Sequence, residues 1–221
     1  MSAGHPLRVT RSWLAVVGHA VTILLSLLVA AAACESRGEC GNGECICLAG
    51  AECHFECTAP PCHVECRGDN DGCSGACANG ECACGRDSRC DFVCDAPPCH
   101  VDCAPGADCS GTCANGECRC ADNAHCDFDC KAGPCHVTCG AKASCNGVCS
   151  NGTCACGVDG SCNFECRDEP CRSDCPAGAQ CLLSCEGGNR GTGCRFDSCN
   201  GNVVECPDGK TLACNRQCPT P

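Results

Sequence analysis

The chain has 221 residues, of which 39 are cysteines, and 15 Lys and Arg against 27 Asp and Glu give a net charge of −12. This cysteine content is typical of a disulfide scaffold in an oxidising compartment, and it excludes an ordinary cytosolic enzyme domain. The acidic balance argues against nucleic acid as a partner and against electrostatic adhesion to anionic lipid.

Residues 1–33 predict a secretory signal peptide. Arg8 and Arg11 provide a basic start, an apolar run begins at Leu14, and four alanines precede Cys34. The Ala-Ala-Ala-Cys junction resembles a bacterial lipobox, in which the cysteine is lipidated after cleavage, although Ala31 stands where leucine is usual. We therefore predict a lipidated Cys34 as the first residue of the mature chain. Ordinary secretion and an uncleaved membrane anchor are the alternatives.

Cysteine parity gives separate support to this prediction. Without Cys34 the chain keeps 38 of its 39 cysteines, an even number that can close completely into disulfides. Residues 34–41 are assigned to an N-terminal tether. We expect the mature chain at the outer membrane or cell surface, or secreted if Cys34 carries no lipid.

Four tandem units follow the tether, at 42–78, 79–114, 115–150 and 151–186. Each begins with an Asn-Gly pair and contains eight cysteines, and a period of this size is typical of an array of stacked modules. The second and third units define the predicted disulfide framework: Cys82, Cys84, Cys90, Cys94, Cys99, Cys103, Cys109, Cys113, Cys118, Cys120, Cys126, Cys130, Cys135, Cys139, Cys145 and Cys149.

Three C-x-x-x-C segments in each unit predict short β-strands. Their central residues are Phe, Val and Gly in turn, as at Phe128, Val137 and Gly147. On a strand, the cysteines and the central residue face one side, and polar residues face the other. The two cysteines of one segment are then roughly 13 Å apart, which is too far for a bridge between them. Pro and Gly interrupt every connection, so helices of useful length are not expected.

Two architectures fit this pattern, both all-β and disulfide-rich. One is a disulfide-laddered β-solenoid with two coils of about 18 residues in each unit, as expected from stacked strands. The other is a string of small knotted modules, because "CANGECRC" (Cys113 to Cys120) resembles part of the EGF-like domains. There the Asn-Gly pair occupies a tight hairpin turn. We favour the solenoid.

The C-x-V-x-C segments and Gly-rich joints over residues 40–185 also resemble cysteine-rich repeat lipoproteins of bacteria. That resemblance implies export and a β-rich rod, and it brings no known activity. Residues 187–221 lose the repeat phase and are assigned to a C-terminal cysteine-rich cap, which repeat arrays generally need.

Candidate metal ligands are His63, His100 and His136, which recur at one position in three units and would line one outer face. They could hold Zn²⁺ or Cu²⁺. With two coils per unit they are ~9.5 Å apart, which favours repeated surface histidines over ligands of one ion. Thiolate clusters of cysteine are a further alternative, and they would require reduced sulfur.

Acidic residues recur on the predicted outer face and offer oxygen ligands for Ca²⁺, although a solvated acidic face is the simpler interpretation. They are Glu56, Glu65, Asp102, Asp129, Glu165 and Asp174.

The sequence contains no catalytic motif, so we expect no enzyme, and a thiol-redox enzyme is a remote alternative. The resulting hypothesis is an exported, disulfide-stapled module that is structural or adhesive at the cell surface. Its expected partner is a protein or a cell-envelope component, and the membrane is reached only through the N-terminus. A metal-binding protein is the main alternative.

Overall fold

The computed structural model describes residues 37–38, 43–57, 61–69, 72–186 and 193–220. The predicted signal peptide at 1–33, Cys34, and all of the 34–41 tether except Arg37 and Gly38 lie outside these residues. Within the described ranges, no helix is long and apolar enough to cross a membrane.

Within these described ranges, twenty strands form two sheets, here called the long sheet and the short sheet. The long sheet has eleven strands and the short sheet has nine. In spatial order, the long sheet contains β1 (Arg37–Gly38), β3 (Glu52–Cys57), β5 (Gly72–Cys77), β7 (Arg89–Cys94), β9 (Asp108–Ala114), β11 (His125–Ala132), β13 (Ser144–Cys149), β15 (Ser161–Cys166), β17 (Gln180–Cys185), β20 (Thr211–Cys214) and β19 (Val203–Glu205). The short sheet contains β18 (Cys194–Cys199), β16 (Cys171–Cys175), β14 (Thr153–Ala155), β12 (His136–Cys139), β10 (Gly116–Cys120), β8 (Cys99–Cys103), β6 (Gly80–Cys84), β4 (Cys62–Cys66) and β2 (Glu44–Cys47).

From β1 to β19, consecutive strands of the chain alternate between the two sheets, so the chain winds as a β-solenoid. Within the long sheet, Cys73 pairs with Cys90 of the next coil, and Cys90 pairs with Cys109 of the coil after that. Two coils therefore make one sequence unit, which confirms the prediction of two coils per unit. The long sheet stacks eight parallel strands from β3 to β17, which corresponds to seven turns.

The strand faces divide as the alternation of the sequence predicts. In β7 the cysteines and Phe92 are buried, whereas Arg89, Asp91 and Val93 are exposed. The interior of the long sheet alternates phenylalanine with glycine from coil to coil, and that of the short sheet alternates valine with cysteine. The core is therefore one narrow column of sulfur, phenyl rings and valines between the sheets.

Disulfides close the corners of the coils. Cys94–Cys99 joins the end of β7 to the start of β8, and Cys103–Cys109 joins the end of β8 to the start of β9. Each such bridge connects strands of opposite sheets within one coil, rather than strands of successive coils. No segment described here bonds its own two cysteines, as the strand geometry predicted.

The Asn-Gly pairs at Asn79, Asn115 and Asn151 are coil corners between strands of opposite sheets, so the hairpin role that the EGF-like resemblance implied is wrong. Asn115 has a φ of 47° and donates its backbone N–H to the Ala132 carbonyl of the next coil at 2.8 Å. A Cβ on Gly116 would overlap the Cys99 carbonyl oxygen, so only glycine allows the two coils to stack there. The alternative architecture of separate knotted modules is therefore not formed.

The C-terminal end departs from the repeat in a way that closes the solenoid. β18 continues the short sheet in parallel, but β20 pairs antiparallel with β17, and β19 pairs antiparallel with β20. The bridge Cys199–Cys214 spans 15 residues and ties β20 to the end of β18. The bridge Cys206–Cys218 spans 12 residues and ties the turn after β19 to the segment after β20.

Candidate functional site

A row of alternating histidine and glutamate runs across the outer face of the short sheet, with one residue from each successive strand. Its members are hydrogen-bonded strand neighbours, which we call the His–Glu ladder: Glu44, His63, Glu81, His100, Glu117 and His136. The sequence predicted the three histidines on one outer face, and the structure places them there, two strands apart. The glutamates between them were not predicted as part of this site. The signal available was the glutamate that follows the Asn-Gly pair in the first three units, at Glu44, Glu81 and Glu117.

Two ladder residues are already in contact. His63 Nδ1 and Glu81 Oε2 are 3.4 Å apart, and the side chains are 46% and 53% exposed. A hollow of about 510 Å³ lies over this part of the ladder, lined by Glu44, His63, Glu81 and His100, with Pro61, Asn79 and Pro98 of the coil corner on one side. This part of the short sheet therefore presents two imidazoles and two carboxylates to one concavity.

From the fourth unit onward, the residues in the ladder register are no longer histidine and glutamate. The same register holds Thr153, Arg172 and Arg195 in β14, β16 and β18. Arg195 donates from Nε to Asp197 at 2.8 Å, and Arg172 lies 3.8 Å from the same carboxylate. The His–Glu character is thus confined to the first three units.

Arginine side chains contact outward-facing carboxylates of the short sheet, both in the ladder and beside it. Arg67 donates two hydrogen bonds at 3.1 Å to Glu65, and this contact lowers the pKa of Glu65 and raises that of Arg67. Arg119 donates to Glu117 at 3.0 Å and lies 3.9 Å from Asp102. Among the ladder glutamates, Glu117 is therefore engaged by a cation.

A hollow of about 630 Å³ lies on the outer face of the long sheet beside the C-terminal hairpin. Arg167 occupies it, donating to Asp129 at 3.1 Å and to Glu165 at 3.0 Å, and the Glu165 hydrogen bond is the main cause of the raised pKa of Arg167. Asn163 accepts a hydrogen bond from Arg216 at 2.7 Å. The polar groups of this hollow are thus largely paired with one another.

The six acidic residues considered for calcium lie on outer faces but do not form one site. Glu56, Asp129 and Glu165 are on the long sheet, whereas Glu65, Asp102 and Asp174 are on the short sheet. The core column separates the two sets, and arginines contact four of the six carboxylates. The structure therefore does not assemble them as ligands of one ion.

All sixteen cysteines of the predicted framework are in disulfides, as are all the other cysteines that the structure describes. Sulfurs of successive coils lie close together, as in the group of Cys103, Cys109 and Cys126. Because these sulfurs are oxidised, the described part of the chain offers no thiolate to a metal cluster or to thiol exchange.

Comparison with protein-family models, curated proteins and solved structures finds no match to this chain. The fold and the bridges define the class of protein by themselves. It is a cysteine-rich repeat protein that forms a disulfide-laddered β-solenoid.

Proposed function

We propose that this protein is an exported, non-catalytic module that is structural or adhesive at a bacterial cell surface. The observation that carries the proposal is the corner disulfide, which recurs at every turn between strands from Cys47 to Cys194. Bridges of this density persist in an oxidising compartment and are rare in the cytosol. Lipid on Cys34 would tether the rod by its N-terminus.

Local bridges suit a module that bears mechanical load. Over the coil from Cys90 to Cys109, the bridges Cys94–Cys99 and Cys103–Cys109 hold Cα atoms 6.0 and 6.4 Å apart. At ~3.4 Å per residue, that coil can extend to about 40 Å when oxidised and about 65 Å when reduced. The bridges therefore limit how far an unfolded coil can lengthen under tension.

The outer faces favour a cationic or polar macromolecular partner. The mature chain after residue 33 keeps 13 Lys and Arg and all 27 Asp and Glu, because Arg8 and Arg11 leave with the signal peptide. Repeat arrays of this kind present long surfaces on which a partner can make many weak contacts.

The test is export of the full chain in a bacterial host, followed by membrane fractionation and intact mass measurement. We expect acyl groups on Cys34, recovery with membranes, and a gain of about 2 Da per bridge on reduction. Cys34→Ser is the control, which should release a folded, fully bridged protein from the membrane. Free thiols in the exported protein, or retention of the signal segment, would overturn the proposal.

Adhesion is measured separately, as binding of the Cys34→Ser protein to envelope fractions with and without a chelator. We expect binding that survives chelation and is lost on reduction. Binding that needs a metal ion would instead assign adhesion to a metal site.

A further inference from the structure

We propose that His63, Glu81 and His100 bind one divalent transition-metal ion on the outer face of the short sheet. The site belongs to the first three units and is independent of membrane tethering and of adhesion.

Strand register places the three residues side by side. Glu81 lies directly between His63 and His100 on adjacent parallel strands. Neighbouring strands are ~4.8 Å apart, so the strands that carry the two histidines flank the Glu81 strand at equal distances from opposite sides. The separation of ~9.5 Å between the histidine strands is therefore filled by a third ligand.

The distance between two of the donor atoms already suits a metal ion. A tetrahedral zinc ion with bonds of ~2.0–2.1 Å places neighbouring ligand atoms about 3.3 Å apart. His63 Nδ1 and Glu81 Oε2 are 3.4 Å apart, so this pair already has the spacing of two donors to one ion. Rotation of the exposed His100 side chain supplies the third donor, and water completes the shell.

The surroundings of the three residues also suit a bound cation. The hollow of about 510 Å³ over these residues leaves room for an ion and its water, and it also contains Glu44. Imidazole and carboxylate together suit Zn²⁺, Cu²⁺ and Ni²⁺. The net charge of −12 raises the local concentration of cations.

The similar arrangement of two histidines around Glu117 should bind the metal more weakly than the arrangement around Glu81. His100 and His136 flank Glu117, but Arg119 donates to its carboxylate at 3.0 Å. A guanidinium there competes with the metal for the oxygen and repels it. The site centred on Glu81 should therefore fill first.

The test is a titration of Zn²⁺ into the oxidised full chain that carries Cys34→Ser and no histidine tag. Binding is followed by titration calorimetry and by native mass spectrometry. We expect one ion per chain, with affinity at least about tenfold weaker in His63→Gln, His100→Gln and Glu81→Gln. Binding should also weaken at acidic pH, because protons compete for the imidazole nitrogens.

Two matched controls isolate the site. Glu117→Gln removes the equivalent carboxylate of the Arg-engaged pattern, and His125→Gln removes an exposed histidine of the long sheet that neighbours Asp108 but no second histidine. Both should bind Zn²⁺ as the parent does. Equal weakening in the controls, or unchanged affinity in His63→Gln and His100→Gln, would overturn the proposal.

Folding and tethering are read in separate samples. The mass gain on reduction reports whether each titrated variant keeps its bridges, and the lipid on Cys34 is assayed only in the exported parent. A failed membrane tether in the parent, with intact zinc binding in the Cys34→Ser protein, would count against the proposed function alone. Absent zinc binding in the bridged Cys34→Ser protein, with the parent tethered, would count against the metal site alone.

Discussion

The long and short sheets both stack coil upon coil but bury different side chains, and the difference shows two ways of filling the interior between them. In the long sheet, Phe92 lies between Gly75 and Gly111 of the adjacent coils, so there a large residue has the smallest one on both sides. In the short sheet, Val101 lies between Cys82 and Cys118, which are residues of similar size. Alternating large and small residues fills a narrow interior as completely as uniform residues do.

The largest expected effect comes from removing a phenyl ring. Phe92 is fully buried between glycines that have no side chain to refill the space. We expect Phe92→Ala to lower the free energy of unfolding by about 4 kcal/mol. Denaturant unfolding with the bridges intact measures it.

Val101→Ala is the comparison in the short sheet, and it should cost only about 2 kcal/mol, because fewer atoms leave and cysteines flank the site. Equal losses for the two variants would show that the sheets do not fill the core in different ways.

The next effect concerns the glycines of the long sheet. Gly111 has a φ of 153°, and an added Cβ would overlap the Phe92 carbonyl oxygen. Gly111→Ala should therefore lower the unfolding free energy by about 3 kcal/mol.

Gly147 occupies the equivalent place one unit later, but an added Cβ would lie 3.3 Å from the Phe128 carbonyl oxygen and meet only the edge of Phe164. Gly147→Ala should change stability by less than about 1 kcal/mol. The same denaturation assay separates the two, and a mild effect at Gly111 would contradict the requirement for glycine there.

A stabilising change is expected where the fourth unit breaks the valine pattern of the short sheet. Ser173 stands at the valine position, is fully buried, and its hydroxyl has no hydrogen-bond partner in the described part of the structure. Ser173→Ala should raise the free energy of unfolding by about 1 kcal/mol, because it removes an unpaired polar group.

Ser184 of the long sheet is the matched control, since its hydroxyl lies 3.0 Å from that of Thr211. Ser184→Ala should destabilise by about 1 kcal/mol. Unfolding curves of the two variants should therefore shift in opposite directions, and a shift in the same direction would be inconsistent with the assigned contacts.

The smallest effect lies in the turn between β19 and β20, at the end of the long sheet. A hydrogen bond from the Thr211 hydroxyl, with two backbone N–H bonds, lowers the pKa of Asp208 below its usual 3.8. A depressed folded pKa contributes stability above the unfolded pKa, and that stability is lost as pH falls through the folded value. Asp208→Asn should therefore increase hydrogen exchange of the Thr211 amide at neutral pH.

That difference in exchange should shrink only as the pH falls through the lowered pKa of Asp208, where the parent carboxylate itself becomes protonated. A difference that persists unchanged once the parent carboxylate is protonated would assign the effect to something other than the Asp208 charge.

The sequence by itself determined the all-β class and the inward face of each strand, and it favoured a solenoid with two coils per unit. The reason is local: C-x-x-x-C with one apolar centre has a period of two, and Pro and Gly at the joints forbid helices. Those features follow from neighbouring residues such as Cys90, Phe92 and Cys94, whose side chains must share a face.

Only the tertiary structure decided the disulfide pairing and the composition of the ladder. Eight cysteines allow 105 pairings, and the choice of Cys94–Cys99 depends on how a corner brings two sheets together. Likewise, Glu81 is a full coil away in the chain from both His63 and His100, so strand stacking alone makes the three side chains neighbours. Contacts between coils depend on register in space, and register is a property of the stacked chain rather than of any one segment.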